Sequence, residues 1–373
     1  MNGEDSPYMV ELEGLVARLG SMGSRKVLIQ SPLGLRGEAV RISQLLSGLG
    51  VASYISSSNC WGGCDIAYSE AERLGVDTII HLGHTPFMRR DRVRTIYLEC
   101  RHTDPKPLES LIPQILDVLD DAKSVGLAAS IQWLDHLGTI SSALERRGVK
   151  ALISKPYMFS QYVGQVLGCD YSSLLPLESW VDCYIIVGSI FHALGAALLT
   201  RKMTVAVDPH SQAVKNLGEM RERVLRQRYA YITAFRKARK VGVVSSVKPG
   251  QARFGLADLL ARLLRSKGFE AYLITADEVG PETLDDFRLD GYVNTACPRL
   301  SLEDQARMGK PFLLPMETLV ALNLLEWGYV VENGVLMYPW GWSPAGGRIF
   351  WKILRGEEPS TGKDMRSQEI SCA

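Results

Sequence analysis

Val241-Gly242-Val243-Val244-Ser245-Ser246, then Leu256, Leu259, Leu260, Leu263 and Leu264, then Gly268, then Ala271-Tyr272-Leu273-Ile274: this stretch reads as strand, amphipathic helix and strand. The leucines recur at the helical period, and Gly268 stands where a helix commonly stops in a left-handed residue. Two strands joined by a helix imply a parallel pair with a right-handed crossover. The pattern occurs twice more upstream. Val27-Leu28-Ile29-Gln30-Ser31 and Val125-Gly126-Leu127-Ala128-Ala129-Ser130 match the first strand, and the three starts lie 98 and 116 residues apart. Ala52 to Ile55 and Val149 to Ile153 match the second strand. A third strand opens after an aspartate in each copy (Asp77, Asp182, Asp290), and a fourth follows at Thr95–Leu98, Met203–Val207 and Pro311–Leu314. The predicted fold is α/β, with three repeated parallel-sheet domains in a pseudo-threefold arrangement around a central site faced by the strand ends. The expected boundaries are 1–121, 122–238 with a basic connecting helix, 239–345, and a C-terminal extension and tail over 346–373.

The 373 residues suit two or three domains. A net charge of +1 supplies no bulk field toward nucleic acid or an anionic membrane, so neither is expected as a partner. The acidic start, Met1 to Glu13, has no apolar core of a secretory signal. The longest apolar run, Cys183 to Leu199, contains Gly188, His192 and Gly195 and reads as a buried strand followed by a helix rather than a span. A cytoplasmic location is expected, where thiols stay reduced. The helix Leu217 to Lys240 carries Arg221, Arg223, Arg226, Arg228, Arg236, Lys237, Arg239 and Lys240. It could dock a nucleic acid or an acidic partner, but a solvated face on a connecting helix is preferred. From Tyr338 the chain breaks into Pro339-Trp340-Gly341-Trp342-Ser343-Pro344, read as a covering segment, and a loose tail is expected from Glu357.

Seven cysteines are present, and repeat register separates them. Cys64 precedes Asp77 by thirteen residues, and Cys169 precedes Asp182 by the same thirteen. Cys64, not Cys60, is thus the counterpart of Cys169. Cys297 lies seven residues after Asp290, a slot held by His84 in the first copy and Ser189 in the second. Its candidacy rests on its place at a strand end. Three thiolates, one per copy, can hold a metal centre and leave one coordination position open. Cys100 and Cys183, in or beside strands, read as small buried hydrophobes, and Cys372 in the tail is given no role. Cys60 and Cys64 make a C-x3-C pair, but Ala67 stands where the usual radical S-adenosylmethionine motif has its third cysteine. Cys60 is left as a spare ligand, a redox partner or a core residue. There is no C-x2-C pair, Walker loop, G-x-G-x-x-G or nucleophile elbow.

Six segments together carry a family resemblance. They are Leu28-Ile29-Gln30-Ser31-Pro32-x-Gly34-Leu35, Gly63-Cys64-Asp65, Ile80-His81-Leu82-Gly83-His84, Gly164-Gln165-Val166-Leu167-Gly168-Cys169, Gly188-Ser189-Ile190-Phe191-His192-x-Leu194-Gly195 and Ala296-Cys297-Pro298-Arg299. From about Val27 to Leu314 the chain resembles the archaeal diphthamide synthases, the 2-(3-amino-3-carboxypropyl)histidine synthase family. The resemblance implies an alkyl transferase with three α/β domains, paired as a homodimer. It implies Cys64, Cys169 and Cys297 as ligands of a 4Fe–4S cluster with one iron left without a protein ligand. It further implies that the reduced cluster, fed by an electron donor, cleaves S-adenosylmethionine to methylthioadenosine and a 3-amino-3-carboxypropyl radical. That radical would add to C2 of a histidine imidazole in translation elongation factor two. Glycines 62, 63 and 168 would give the backbone room beside the cluster or cofactor.

Four residues are candidates for the S-adenosylmethionine pocket. Arg299 could clamp the methionine carboxylate or form a surface ion pair. Gln251 could bond the amino-acid end of the cofactor or cap the following helix. His84 and His192 could line the pocket or be satisfied by the backbone. One rival reading is a quinolinate-synthase-like iron–sulfur dehydratase. Another is a non-catalytic module binding metal, or RNA through the Arg221–Lys240 helix. Methylthioadenosine release separates the first rival, and iron content the second.

Overall fold

A computed structural model describes residues 6–340 and 344–357. The expected tail beyond residue 357, with Cys372, lies outside the described residues. Two compact units are present. The first holds the chain up to Ala197, Lys202–Arg221 and Ser246–Ala252, and the second holds Leu198–Arg201, Glu222–Ser245 and the chain from Arg253 onward.

The first unit contains two mostly parallel sheets. Lys26–Gln30, Ala52–Ile55, Thr78–Leu82 and Arg94–Leu98 form the first, with the second strand at the edge and the opening strand beside the third. Ser124–Ala129, Lys150–Leu152, Cys183–Val187 and Met203–Asp208 repeat that order, and Ala213–Asn216 adds an antiparallel edge. In the second unit Lys240–Ser246, Glu270–Ala276, Gly291–Asn294 and Phe312–Leu313 repeat it again. The chain order 2-1-3-4 across each sheet reverses between the opening and third strands, which makes a crevice at their C-terminal ends. Val27, Leu28, Ile29, Ile79 and Ile80 are fully buried, the continuous apolar run of a sheet covered on both faces.

The repeat extends to single contacts. Leu28 pairs with Ile79, Gly126 with Tyr184 and Gly242 with Tyr292 at equivalent register positions. A Cβ on Gly126 or Gly242 would fall 2.6 or 2.7 Å from the tyrosine ring, so small-against-large replaces medium-against-medium. The aspartate before each third strand clasps the start of the opening strand. Asp77 Oδ2 accepts the Arg25 and Lys26 amides, Asp182 Oδ2 those of Lys123 and Ser124, and Asp290 Oδ2 those of Arg239 and Lys240.

The helix after the third opening strand runs Phe254–Ser266, and Gly268 follows it at φ +88°. Its innermost face is Ala257, Leu260, Ala261 and Leu264; Leu256, Leu259 and Leu263 flank that face. Two alanines let the helix lie close to its sheet. The basic helix spans Gly218–Phe235, ending short of Lys240. Its face is not uniformly solvated as expected, because Arg228 is only 2% exposed. Arg228 forks onto Glu317 at 2.7 and 2.6 Å and donates to the Ser301 and Phe312 carbonyls and Gln305. The apolar run resolves into the strand Cys183–Val187 and the helix Ile190–Leu199, and none of the described helices is long and apolar enough to cross a membrane. Of the segment expected to act as a cover, residues 341–343 lie outside the described residues, and a helix spans Pro344–Leu354.

Candidate metal centre

Cys64 closes the loop that follows the second strand of the first copy, and its side chain is half-buried. The segment Ser246–Ala252 lies against it within the first unit. The Gly250 amide donates to the Cys64 carbonyl at 2.8 Å, and a Cβ on Gly250 would come within 2.6 Å of the Cys64 Cα. Only glycine permits that approach. Gln251 Nε2 lies 3.4 Å from Cys64 Sγ. Lys248 Nζ sits 3.0 and 3.1 Å from the two carboxylate oxygens of Asp65, and both side chains are buried. Gln251 does not cap the next helix, whose N-terminus lacks a side-chain cap.

Cys169 occupies a tight reversal in which Leu167 and Asp170 exchange backbone hydrogen bonds at 3.0 and 3.3 Å. Asp170 Oδ2 accepts the Phe159 and Ser160 amides at 2.8 and 2.6 Å, and Oδ1 accepts the Ser172 amide at 2.9 Å. A chain of contacts links this loop to that of Cys64. Phe159 stacks on Phe87 at 4.3 Å, and Gln165 donates to Thr85 Oγ1 at 3.0 Å. A Cβ on Gly63 would meet the Thr85 carbonyl at 2.3 Å, and one on Gly168 would meet Phe191 at 1.9 Å. The room expected at these two glycines for a cofactor is therefore taken by the protein's own Thr85 and Phe191.

Cys297, in the second unit, follows the strand Gly291–Asn294 and precedes the short helix Pro298–Leu302. Asn294 fixes the turn: its Nδ2 donates to the Cys297 carbonyl at 2.7 Å and its Oδ1 accepts the Ala296 amide at 2.9 Å. Arg299 Nε lies 2.5 Å from Glu303 Oε2 on the same helical face, so its guanidinium already holds a carboxylate.

Burial sorts the described cysteines in two. Cys64, Cys169 and Cys297 are half-buried, whereas Cys60, Cys100 and Cys183 are buried, and none is in a disulfide. Burial pushes Cys60 up to about 12 and Cys100 and Cys183 up to about 11, which keeps these thiols protonated. His84 Nδ1 lies 3.0 Å from His81 Nε2, and His192 Nδ1 lies 3.0 Å from Ser189 Oγ. The His192 contact is to a side chain, whereas His84 also has the Leu82 carbonyl as a partner. Burial lowers His84 to about 4, against the Leu82 carbonyl and with the help of His192, and carries His81 well below its ordinary value. His81, Gln30 and Lys248 were not singled out by sequence reasoning. The signal for His81 is a polar residue inside an otherwise apolar strand, which needs a buried partner.

Residues 31–331 match the model of the diphthamide synthesis protein family. This chain belongs to that family. The 2-(3-amino-3-carboxypropyl)histidine synthase of Pyrococcus horikoshii is 33% identical over 313 residues, covering 84% of this chain and 90% of that protein. The synthase of the same name from Methanocaldococcus jannaschii is 25% identical over 327 residues, covering 83% and 88%. The crystal structure of Dph2 from P. horikoshii with a 4Fe-4S cluster superposes with a TM-score of 0.78 at 32% identity, over 86% of this chain and 92% of that one. The α/β fold with several parallel sheets is shared with these structures. Neither the quinolinate-synthase reading nor the RNA-binding module is favoured by any of these likenesses. One half-buried thiol per copy, each in a loop braced by its own hydrogen bonds, is a donor set that fits an iron–sulfur cluster.

Proposed function

We propose that this chain is a 2-(3-amino-3-carboxypropyl)histidine synthase acting in the first step of diphthamide synthesis. Cys64, Cys169 and Cys297 would hold the 4Fe–4S cluster, leaving one iron for S-adenosylmethionine. When bound, the cluster supplies the single electron that opens the sulfonium on its γ-carbon side, so that the 3-amino-3-carboxypropyl group reaches C2 of a histidine in translation elongation factor two. The observation that carries this reading is the division of the cysteines by burial, which agrees with the repeat register for Cys64 and Cys169 and with the strand-end position of Cys297.

The chain's own residues hold these ligands in place. Lys248, Gly250 and Gln251 press on the Cys64 loop through Asp65, the Cys64 carbonyl and the Cys64 sulfur. Asp170 holds the Cys169 turn, and Asn294 holds the Cys297 turn. The methionine end of the cofactor would find its polar partners among Gln251, His84, His192 and Arg299, with Arg299 exchanging Glu303 for the ligand carboxylate. His84, kept neutral by burial, could accept or donate one hydrogen bond without adding charge near the sulfonium. The proposed domains remain 1–121, 122–238 and 239–345, with a homodimer acting in the cytoplasm and an electron donor outside the chain.

The test is anaerobic incubation of the reduced protein with elongation factor two and S-adenosylmethionine. Methylthioadenosine release with modification of one histidine supports the reading. A reduced, iron-loaded protein that releases none overturns it. Cys64→Ala, Cys169→Ala and Cys297→Ala should each lose iron and activity, and Cys183→Ala should keep both.

A further inference from the structure

The crevice between the opening and third strands of the first copy holds a second set of metal-binding atoms. Cys60 comes from the loop after the second strand, His81 from the third strand, and His84 from just beyond that strand's end. Cys60 Sγ lies 4.0 Å from His81 Nε2, and His81 Nε2 lies 3.0 Å from His84 Nδ1. All three ligand atoms fall within 4.8 Å of one another, the one such trio among the described residues.

The orientation of His81 is not accidental. Gln30 Oε1 accepts the Ala67 amide at 3.1 Å, and Gln30 Nε2 donates to the Asp65 carbonyl at 2.7 Å, so the backbone fixes which end of that amide is oxygen. His81 Nδ1, 3.0 Å from the same oxygen, must then carry the proton. Its Nε2 lone pair is left facing Cys60 and His84. An imidazole whose far nitrogen is anchored by a hydrogen bond is the usual state of a metal-ligating histidine. Because that lone pair accepts, His84 Nδ1 is the donor of the bond between the two rings.

We propose that Cys60 Sγ, His81 Nε2 and His84 Nδ1 form a mononuclear site for a divalent ion of borderline softness, zinc being the best match. Tetrahedral zinc with bonds of about 2.05 Å to nitrogen and about 2.3 Å to sulfur needs roughly 3.3 Å between nitrogens and roughly 3.6 Å from nitrogen to sulfur. The hydrogen-bonded nitrogens therefore part by a few tenths of an ångström, while Cys60 closes on His81 by about 0.4 Å and on His84 by at most about 1.2 Å. Binding expels the Cys60 thiol proton to solvent, moves the His84 proton from Nδ1 to Nε2, and replaces the hydrogen bond between the two imidazoles with two metal bonds. One position stays open for water or another small donor. The site shares no ligand with the proposed cluster, and it stands whether or not the synthase reading holds.

The test measures iron and zinc together on the full-length chain, purified anaerobically, exposed to zinc chloride and desalted. Wild type should retain about one zinc per chain. Cys60→Ala and His84→Ala should weaken zinc binding by more than about 100-fold, beyond the roughly 10–100-fold loss expected for Gln30→Leu, which removes the outer anchor and its two bonds to the Asp65–Ala67 backbone but no ligand. Iron content should be unchanged in Cys60→Ala. Equal zinc retention in wild type and Cys60→Ala would overturn the proposal. So would loss of iron in that variant, which would make Cys60 a cluster ligand. Should the variants not fold, X-ray absorption at the zinc edge of the wild type decides: one sulfur and two imidazoles support the site, and any other donor set ends it.

Discussion

Two ion pairs are buried among the described residues, and they do different work. Arg228 and Glu317, in the second unit, are 2% and 0% exposed, and the guanidinium spends its donors on Glu317, Gln305 and two carbonyls. Lys248 and Asp65, in the first unit, are 6% and 8% exposed, and the ammonium is a point charge beside a proposed cluster ligand. The first pair is saturated and joins a helix to a sheet end. The second sets the backbone on either side of Cys64, because Asp65 Oδ2 also accepts the Trp61 amide at 3.2 Å. A buried pair is weak evidence for stability in itself, since desolvation offsets most of the attraction. What each pair positions is the more informative question.

The largest effect is expected at the saturated pair. Arg228→Met leaves Glu317 charged and buried and should cost about 3–5 kcal/mol. Denaturant unfolding monitored by circular dichroism measures it. The double variant Arg228→Met with Glu317→Leu should recover most of the loss, because no lone charge remains. The folded fraction of either variant should bind iron as wild type does. A selective loss of iron would erase the distinction drawn here.

Lys248→Met should cost less, about 3 kcal/mol, because Asp65 is nearer solvent and keeps the Trp61 amide. Its signature is instead at the Cys64 loop. Iron per folded chain should fall, as it should not in Arg228→Met. Iron content per folded chain, read after gel filtration, sharpens or breaks the contrast between the two pairs.

The fold was legible because parallel strands buried on both faces write themselves as apolar runs, and the copies repeat those runs in one order. Register then selected Cys64 and Cys169, since a loop of equal length before an equivalent aspartate is visible in one dimension. The purpose of that aspartate was not. Asp77 reaches amides 51 and 52 residues away, which no local spacing reveals. The same holds for Lys248, whose partner is 183 residues distant, and for Arg228, read as one more solvated charge. Polar residues with partners far along the chain declare them only once the chain is folded.

The clasp is a third kind of anchoring, more exposed than either ion pair. Asp77→Ala should cost about 1.5–3 kcal/mol, the range for hydrogen bonds to a charged group. Burial opposes ionisation of Asp77, but the Arg25 and Lys26 amides and nearby hydroxyls outweigh it, and its pKa lies below the ordinary 3.8. A lowered carboxyl contributes stability that is present above the unfolded value and is lost as pH falls through the folded one. Wild-type stability should therefore decline below about pH 4. Asp77→Asn should flatten part of that decline in acid titrations followed by fluorescence. An unchanged acid limb would remove the clasp from the account.

The smallest effect on stability, and the most specific on chemistry, is expected at Gln251. Its amide lies 3.4 Å from the Cys64 sulfur, a weak bond whose loss should cost no more than about 1 kcal/mol. Lys248 shapes the loop, whereas Gln251 touches the sulfur itself. A hydrogen bond to a ligating sulfur draws electron density from it and favours the reduced cluster, so removing the bond makes reduction harder. Under the proposed reading, Gln251→Leu should keep its iron and shift the midpoint potential to a more negative value in a dithionite titration followed by electron paramagnetic resonance. Gln251→Glu tests the same contact with opposite charge, because a carboxylate near the sulfur also disfavours added negative charge. A potential unmoved in both variants would mean that the amide turns away from Cys64 once the cluster is in place.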